Sequence, residues 1–333
     1  MPINYEPING ATDVATTRTI LHEVIPLTGT IVSGTYGTFP NDDNIKNYSH
    51  GQFQSVYDYP YLSSSANHIF DLTAGFDESS PLSGSAGVVL QSKKINMYNQ
   101  FSQVLLGYTG STNTVRLFEG DLTLDQAGNV MKEVIFVNLS RLLTKDEVKK
   151  GSVSITVGTA SWAAPFAGVK TFTDSDASNT SNTLNTVGGD YGLLSSSAGV
   201  GGVVFYQAGV MVLTSSIWAG TTDFFSQSTT ARTFDQQLVS GSISGSADAF
   251  RHRLQNLQFN NSTEINSTVY FCRAPHNKFN YSSNPTYLNA GAIRVKNNVR
   301  SNPPIAYTTT IGLYSSQNEL LAVAKLSEPL RKD

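Results

Sequence analysis

The sequence predicts a mainly β protein, with a β-sandwich-like or barrel-like core and two or three short helices. Charged residues make up only 14% of the 333 residues, against about a quarter in a typical soluble domain. Ser, Thr, Asn, Gln and Gly fill the difference, and hydroxyl and amide side chains satisfy backbone groups in turns and disfavour long helices. Short stretches of alternating apolar and polar residues recur along the chain, which is typical of strands.

The first part of the chain alternates between strand patterns and loops. Residues 1–19 are predicted to be an extended N-terminal arm, and residues 19–36 a strand pair with a glycine turn. A loop containing Pro40 and an Asn/Asp cluster follows. Between residues 53 and 76, aromatic and polar positions alternate around Pro60, which favours edge strands over a central strand.

Three stretches are predicted to be helical. Apolar residues at helical spacing predict a helix over residues 92–106. A capping box formed by Thr144 and Glu147 predicts a short second helix. The third helix is predicted within residues 246–259. Its predicted apolar face consists of Phe250, Leu254 and Leu257.

Clear strand patterns occur in the second half of the chain. Residues 152–158 alternate strictly between polar and apolar positions, which predicts a strand. Residues 203–218 predict a buried hairpin or a strand broken at Gly209. Residues 306–330 predict a β-hairpin whose turn lies at residues 315–318.

A change in composition suggests the domain organisation. From about residue 159 to residue 245 charge nearly vanishes and Gly, Ser, Thr and Asn dominate. Because core-like strands precede and follow this stretch, residues 152–245 are predicted to be a polar, β-rich insertion or second domain. Residues 20–151 and 246–333 are then predicted to form one discontinuous main β domain, preceded by the arm of residues 1–19.

Composition and charge exclude several function classes. The formal net charge of -3 and the isoelectric point near 6.0 give no field that attracts nucleic acid, so nucleic acid is not expected as the main ligand. No apolar run approaches the roughly 18 residues of a membrane helix, so no membrane is expected as a partner. The first residues lack the pattern of a signal peptide, which predicts synthesis in the cytoplasm.

The stretch from residue 270 to 287 contains the sharpest candidate for catalysis, because it holds Cys272, the one cysteine of the chain, and His276. A cysteine nucleophile needs a histidine beside it. Positions four apart in a strand lie about 13 Å apart, although Pro275 turns the chain before His276 and leaves proximity open. The alternation around Cys272 favours a small buried side chain, and no catalytic residue is predicted.

Metal and cofactor sites are not expected. The five histidines and the cysteine show no spacing typical of zinc ligands. Asp174, Asp176 and Ser178 alternate like the opening of a calcium loop, but the central glycine and closing glutamate of an EF-hand are missing, so a solvated loop is predicted. Glycoside hydrolysis, which needs two carboxylates about 5 to 10 Å apart, stays open as a third function class. The adjacent acidic pairs are Asp42 with Asp43 and Asp77 with Glu78.

Aromatic residues beside proline and asparagine form the candidate binding surface. Tyr and Phe anchor protein interfaces or line sugar-binding grooves, while core packing accounts for about half of such residues. The low charge and the lack of a catalytic pair favour protein contact for those that are exposed. The predicted interface residues are Tyr57, Tyr59, Tyr61, His276, Phe279, Tyr281 and Tyr287.

Two long stretches are FRHRLQNLQFNNSTEINSTVYFCRAPHNKFNYSSNPTY, residues 250–287, and YTTTIGLYSSQNELLAVAKLSEPL, residues 307–330. Together with residues 140–152 and 203–216, which match more weakly, they resemble a family of virion structural proteins of contractile-tailed bacteriophages of the T-even-like and cyanophage kind. The resemblance covers most of the chain from about residue 45 and includes no catalytic motif. Relatives are expected to continue a little beyond the final SEPLRKD.

The resemblance implies a particle component made in the bacterial cytoplasm and built into the virion, whose partners are other virion proteins and copies of itself. The leading interpretation is a non-enzymatic structural subunit of the tail, baseplate or neck. The alternative is a peripheral receptor- or glycan-binding tail protein. Within this interpretation, residues 270–273 are predicted to finish a core strand and residues 274–287 to form an ordered loop that docks on a partner.

Overall fold

A computed structural model describes most of the chain. The described residues are 5–26, 43–84, 89–110, 114–227, 230–275, 278–279, 288–289, 292–293, 299–301 and 305–332. By its internal contacts the chain divides into two compact units. The terminal unit comprises Met1–Arg18 and Asn266–Asp333, and the central unit comprises Thr19–Ile265.

The secondary structure of the described residues confirms the mainly β class, with four α-helices rather than two or three. The helices are α1 (Val89–Leu105), α2 (Arg141–Thr144), α3 (Phe234–Ser240) and α4 (Ile243–Arg253). The strands are β1 (Val14–Pro26), β2 (Ile45–Asn47), β3 (Gln54–Tyr57), β4 (His68–Phe76), β5 (Phe118–Glu119), β6 (Val130–Met131), β7 (Glu133–Leu139), β8 (Glu147–Val148), β9 (Ser154–Gly158), β10 (Val169–Thr173), β11 (Leu184–Thr186), β12 (Gly189–Ser196), β13 (Gly199–Phe205), β14 (Val210–Thr214), β15 (Phe225–Gln227), β16 (Thr230–Arg232), β17 (Leu254–Tyr270), β18 (Leu288–Asn289), β19 (Ala292–Ile293), β20 (Ala306–Tyr314) and β21 (Leu320–Lys332).

One large antiparallel sheet of 13 strands dominates the fold, and it is not closed into a barrel. Its strand order is β1-β17-β9-β10-β12-β13-β14-β7-β4-β3-β2, with β11 paired to β12 and β8 paired to β17. Strands from residues 152–245 therefore share this sheet with β2, β3, β4 and β7. The predicted division into a discontinuous main domain and a polar, β-rich insertion or second domain stays a prediction.

Both faces of the sheet are buried around β7. Alternate side chains of a strand point to opposite faces, so β7 contributes side chains to the apolar cluster on each face. Val134 and Phe136 belong to one apolar cluster, together with Tyr98 of α1. Ile135 and Val137 belong to the other, together with residues of α3 and α4. Helices thus cover the sheet on both sides, with α1 on one face and α4 on the other.

The prediction of edge strands between residues 53 and 76 is wrong. β3 lies between β2 and β4 and pairs with both. β4 is also a central strand. This strand is hydrogen-bonded to β3 on one side and to β7 on the other, and seven of its nine residues are buried. Gly75 lets α1 approach β4 closely, since a Cβ there would lie 2.6 Å from the carbonyl oxygen of Lys94. Pro60 lies in the loop before β4 and does not interrupt the strand.

The capping box predicted from Thr144 does not form. The helix α2 ends at Thr144, Lys145 has a positive φ of 57°, and the following residues Glu147–Val148 form β8, which pairs with β17. The last predicted helix is present as α4, but Leu254 and Leu257 lie in β17, so their assignment to a helical face is wrong. In both places a strand pairing replaces helical turns that the local pattern favoured.

Other local predictions are confirmed. The helix predicted over residues 92–106 is α1, and the strand predicted within residues 152–158 is β9. The hairpin broken at Gly209 is the pair β13 and β14, and Gly209 has a φ of 69° in the turn. Residues 14–19 of the predicted arm belong to β1, whereas residues 27–36 of the predicted strand pair lie outside the described residues.

None of the helices in the described part of the chain is long and apolar enough to span a membrane.

Candidate functional site

The terminal unit carries an apolar surface that its own described residues leave uncovered. No apolar side chain among the described residues of this unit is buried. Its main element is the hairpin of β20 and β21, which form a separate two-stranded sheet. We call this pair the apolar hairpin. Its large side chains that are more than half exposed are Tyr307, Leu320, Leu321, Val323 and Leu330.

Both faces of the apolar hairpin carry such side chains. Leu320 and Leu321 are neighbours in β21 and therefore point to opposite faces, yet 53% and 68% of their surfaces are exposed. Across the hairpin, Tyr314 pairs with Leu320 and Gly312 with Val323. An apolar ladder on both faces is typical of a strand pair that a further layer of protein covers.

Polar contacts link the two chain segments of the terminal unit. The backbone N–H of Phe271 donates to the carbonyl oxygen of Asp13 at 2.8 Å, and Arg273 forms an ion pair with the Asp13 carboxylate at 2.7 Å. The hydrogen bond from the Asn9 N–H lowers the pKa of Asp13. Lys278 forms an ion pair with Glu6 at 2.6 Å. These polar contacts connect the two segments.

The structure around Cys272 differs from the prediction. Tyr270, Phe271 and Cys272 are exposed, so the prediction of a core strand end with a buried cysteine is wrong. The reason is that β17 continues past the residues that pair with β9 and β8, the last of which is Ser262. The partner considered for Cys272, His276, lies outside the described residues.

The predicted interface residues separate into two groups. Tyr57 is half-buried at the end of β3, with its ring 6.3 Å from Tyr61 and 5.5 Å from His68. Tyr59 is 57% exposed in the loop between β3 and β4. Phe279 belongs to the terminal unit, is 39% exposed and has a positive φ of 58°. His276, Tyr281 and Tyr287 lie outside the described residues. The interface role of all seven residues stays a prediction.

A polar cluster lies beside Tyr57 on the same face of the sheet, centred on Asp71 of β4. Oδ1 of Asp71 accepts hydrogen bonds from Ser55 Oγ at 2.5 Å and from His68 Nε2 at 2.8 Å. Tyr48 Oη lies 3.2 Å from Ser55 Oγ. Burial raises the pKa of Tyr57, so its hydroxyl stays neutral next to this carboxylate. The cluster fixes the orientation of Asp71 from two sides.

The open side of this cluster meets a pocket of about 320 Å³ between the sheet and α1, which we call the α1 pocket. Its apolar wall consists of Phe53, Met97, Phe101 and Val104. Its polar lining consists of Asp71, Thr73, Gln100 and Asn138. The strands bring Asp71 and Asn138 together because these residues are opposite each other in the β4–β7 register.

The chemistry of the cluster differs from that of a hydrolase triad. In a triad the nucleophile donates to the histidine, which a carboxylate orients. Here Ser55 and His68 both contact the same oxygen of Asp71. The described lining of the α1 pocket includes one carboxylate, whereas glycoside hydrolysis uses two. The arrangement is suited to hydrogen-bonding a ligand.

The other acidic candidates have structural partners. Asp174 is fully buried and accepts hydrogen bonds from two backbone N–H groups and from Tyr206, so the prediction of a solvated loop at this residue is wrong. Asp77 is buried and accepts from the Ser79 N–H at 2.7 Å. Asp42 lies outside the described residues. No group of three or more potential metal ligands occurs in the portion of the chain that was described.

Comparisons with known proteins add no relative: no family model matches the sequence, and no curated protein or solved structure was found to be similar to it. The resemblance to phage virion proteins therefore stays a prediction.

The sequence reasoning missed the α1 pocket. The wall formed by α1 could have been found from the sequence, because its residues recur at helical spacings of three and four and so share one face of the helix: Met97, Gln100, Phe101 and Val104. The wall formed by the sheet has no such sequence pattern, since Asp71 and Asn138 meet only through the pairing of two strands that are distant in sequence.

Proposed function

We propose that the chain is a non-enzymatic structural subunit of a tailed-phage virion, located in the tail, baseplate or neck, which assembles with other virion proteins and with copies of itself. The observation that carries this proposal is the apolar hairpin, with large side chains exposed on both faces.

The physical argument begins with the stability of the hairpin. A two-stranded hairpin without a packed face is marginally stable in water. Fully burying a Leu or Val side chain contributes about 1.5–3 kcal/mol, so covering the exposed halves of the five large side chains contributes on the order of 5 kcal/mol. This free energy is gained when another protein surface covers the hairpin. The terminal unit therefore favours association.

Three further features support the proposal. Charged residues are scarce at 14%, which reduces the number of charges that an interface must desolvate. The apolar hairpin coincides with residues 307–330, one of the two stretches that carry the resemblance to virion proteins. Phe279 is partly exposed in the other stretch. The segments that resemble virion proteins thus include the uncovered surface.

The experiment compares incorporation of full-length, epitope-tagged variants into particles. A phage that encodes this chain is grown in a host that supplies the tagged protein in trans, and purified particles are analysed by immunoblotting and electron microscopy. Leu321→Lys combined with Val323→Lys places two charges on the apolar hairpin. The matched control, Leu142→Lys combined with Val187→Lys, changes two equally exposed apolar residues of the central unit.

We expect the wild-type chain and the control to enter particles, and the hairpin variant to stay in the soluble fraction as a folded protein. Circular dichroism checks that the variant is folded. Incorporation of the hairpin variant at the wild-type level would show that the hairpin is not the assembly surface. Particles that contain none of the wild-type chain would refute the virion role.

One observation favours the alternative of a glycan-binding tail protein, namely the α1 pocket with its aromatic and amide lining. A binding site and an assembly surface are compatible in one chain.

A further inference from the structure

We propose that the α1 pocket binds a neutral saccharide unit, with one face of the sugar ring against the apolar wall and its hydroxyl groups on Asp71, Asn138 and Gln100. This inference does not depend on the assembly role, because every described residue that lines the α1 pocket belongs to the central unit.

The apolar wall is partly aromatic, and both of its aromatic rings pack against other rings. Phe101 is stacked on Phe136 with a centroid distance of 4.2 Å and an angle of 10° between the rings, which fixes its orientation. Phe53 packs against Tyr48 and His50 at 4.7 and 4.9 Å. Pyranose rings present apolar C–H faces, and an aromatic surface that is already ordered binds such a face with little loss of side-chain freedom.

The polar lining supplies both acceptors and donors. Oδ1 of Asp71 is occupied by Ser55 and His68, whereas Oδ2 has only a long contact of 3.5 Å from Asn138 Nδ2 within the described structure. Oδ2 therefore keeps acceptor capacity for a ligand hydroxyl. Asn138 and Gln100 each offer an amide that both donates and accepts. Neighbouring hydroxyl groups of a sugar need this mixture of partners.

Charge favours a neutral ligand over an ion. Among the described residues, the lining contains one carboxylate and no lysine or arginine, so an anion gains no charged partner from them. A cation finds one carboxylate in the described lining, and Oδ1 of that carboxylate already accepts from His68 Nε2 at 2.8 Å. A ligand without net charge matches a site that has one stabilised carboxylate and two amides.

The size of the α1 pocket is consistent with a small ligand. Its volume of about 320 Å³ lies at the lower end of the range of roughly 300–1,000 Å³ for ligand pockets. Because the described lining holds one carboxylate where hydrolysis uses two, we expect the saccharide to be bound and not hydrolysed.

The test is saturation-transfer difference NMR on the full chain with four probes: D-glucose, D-galactose, D-mannose and N-acetyl-D-glucosamine. We expect saturation transfer to the ring protons of at least one of them. Tetramethylammonium, phenol and phenylacetate serve as cationic, apolar and anionic comparison ligands. Binding of any of these three without binding of a sugar would overturn the proposal, and so would a lack of transfer to all four sugars.

Variants then place the signal in the α1 pocket. Asp71→Asn keeps the shape and the acceptor for Ser55 and His68 but replaces the Oδ2 acceptor by a donor, and we expect a loss of affinity of about tenfold. Gln100→Ala is expected to weaken binding about fivefold. The matched control is Gln103→Ala, an exposed glutamine of α1 that does not line the pocket. Equal affinity of all three variants and wild type would place the sugar elsewhere and refute this site.

Discussion

Replacement of Asp174 by alanine is expected to destabilise the central unit strongly. The carboxylate follows β10 and is fully buried. Oδ1 accepts from the Val153 N–H at 2.7 Å, and Oδ2 accepts from the Gly151 N–H at 2.8 Å and from Tyr206 Oη at 3.0 Å. One side chain thus connects the entry to β9, the end of β10 and the residue after β13.

The expected loss of stability combines two contributions that add and one that opposes them. A hydrogen bond to a charged group contributes about 1.5–3 kcal/mol, and a buried donor that loses its partner costs about 1–3 kcal/mol. Burial raises the pKa of Asp174 although its three hydrogen bonds act in the opposite direction. The charged carboxylate is therefore itself costly to bury, which places the net effect at the low end of the sum. We expect Asp174→Ala to lower the free energy of unfolding by about 4 kcal/mol.

The assay is urea unfolding of the full chain, followed by the fluorescence of Trp162 and Trp218, both in the central unit. The matched control is Asp176→Ala, an exposed carboxylate two residues away, which is expected to change stability by less than about 0.5 kcal/mol.

A graded result tests the cause of the loss. Tyr206→Phe removes one of the three hydrogen bonds and is expected to lower the free energy of unfolding of the wild-type chain by about 1–2 kcal/mol. In the Asp174→Ala chain the same change should cost less, because the hydrogen bond between Tyr206 and Asp174 is already absent. A loss below about 1 kcal/mol for Asp174→Ala, or equal losses for Asp174→Ala and Asp176→Ala, would refute the reasoning.

Two further predictions concern α1. Gly75→Ala is expected to lower the free energy of unfolding by about 1–3 kcal/mol and to weaken saccharide binding, because its Cβ would lie 2.6 Å from the α1 backbone. The control in urea unfolding is Gly220→Ala, since a Cβ at position 220 has no atom within 4 Å. Burial lowers the pKa of Lys94 to about 8 from its ordinary value of 10.5, so the unfolded chain binds the proton more tightly and stability rises with pH between these values. From pH 7 to about 9.5 the free energy of unfolding is expected to rise by about 2 kcal/mol because of Lys94. Urea unfolding of Lys94→Met at each pH should lack this rise. If the variant shows the same rise as the wild type, Lys94 is not its cause.

Local patterns predicted those elements whose signal lies within one segment. The helical spacing around Tyr98 predicted α1, the strict alternation around Ile155 predicted β9, and Gly209 marked a turn. Each of these signals depends on neighbouring residues alone. The apolar hairpin was predicted for the same reason, but its exposure was not, because alternation does not show whether a layer covers it.

The errors arise where distant pairing decides the structure. Thr144 and Glu147 have the spacing of a capping box, yet Glu147 and Val148 pair with β17 and form a strand. Leu254 continues the apolar spacing of α4 but begins β17. The same limit applies to the site, because Asp71 and Asn138 are 67 residues apart and become neighbours only through the β4–β7 register. No local window contains both side chains.

The contrast between the two units determines what the variants can show. The central unit has a buried apolar core on both sides of its sheet, so its unfolding free energy responds to Asp174, Gly75 and Lys94. In the terminal unit no described apolar side chain is buried. Ordering a residue opposes folding by about 1–2 kcal/mol, so under the proposed assembly role we expect the apolar hairpin to gain stability when a partner covers it. Lysines at positions 321 and 323 should therefore reduce assembly while leaving the unfolding of the central unit unchanged, and this separation distinguishes an interface from a structural core.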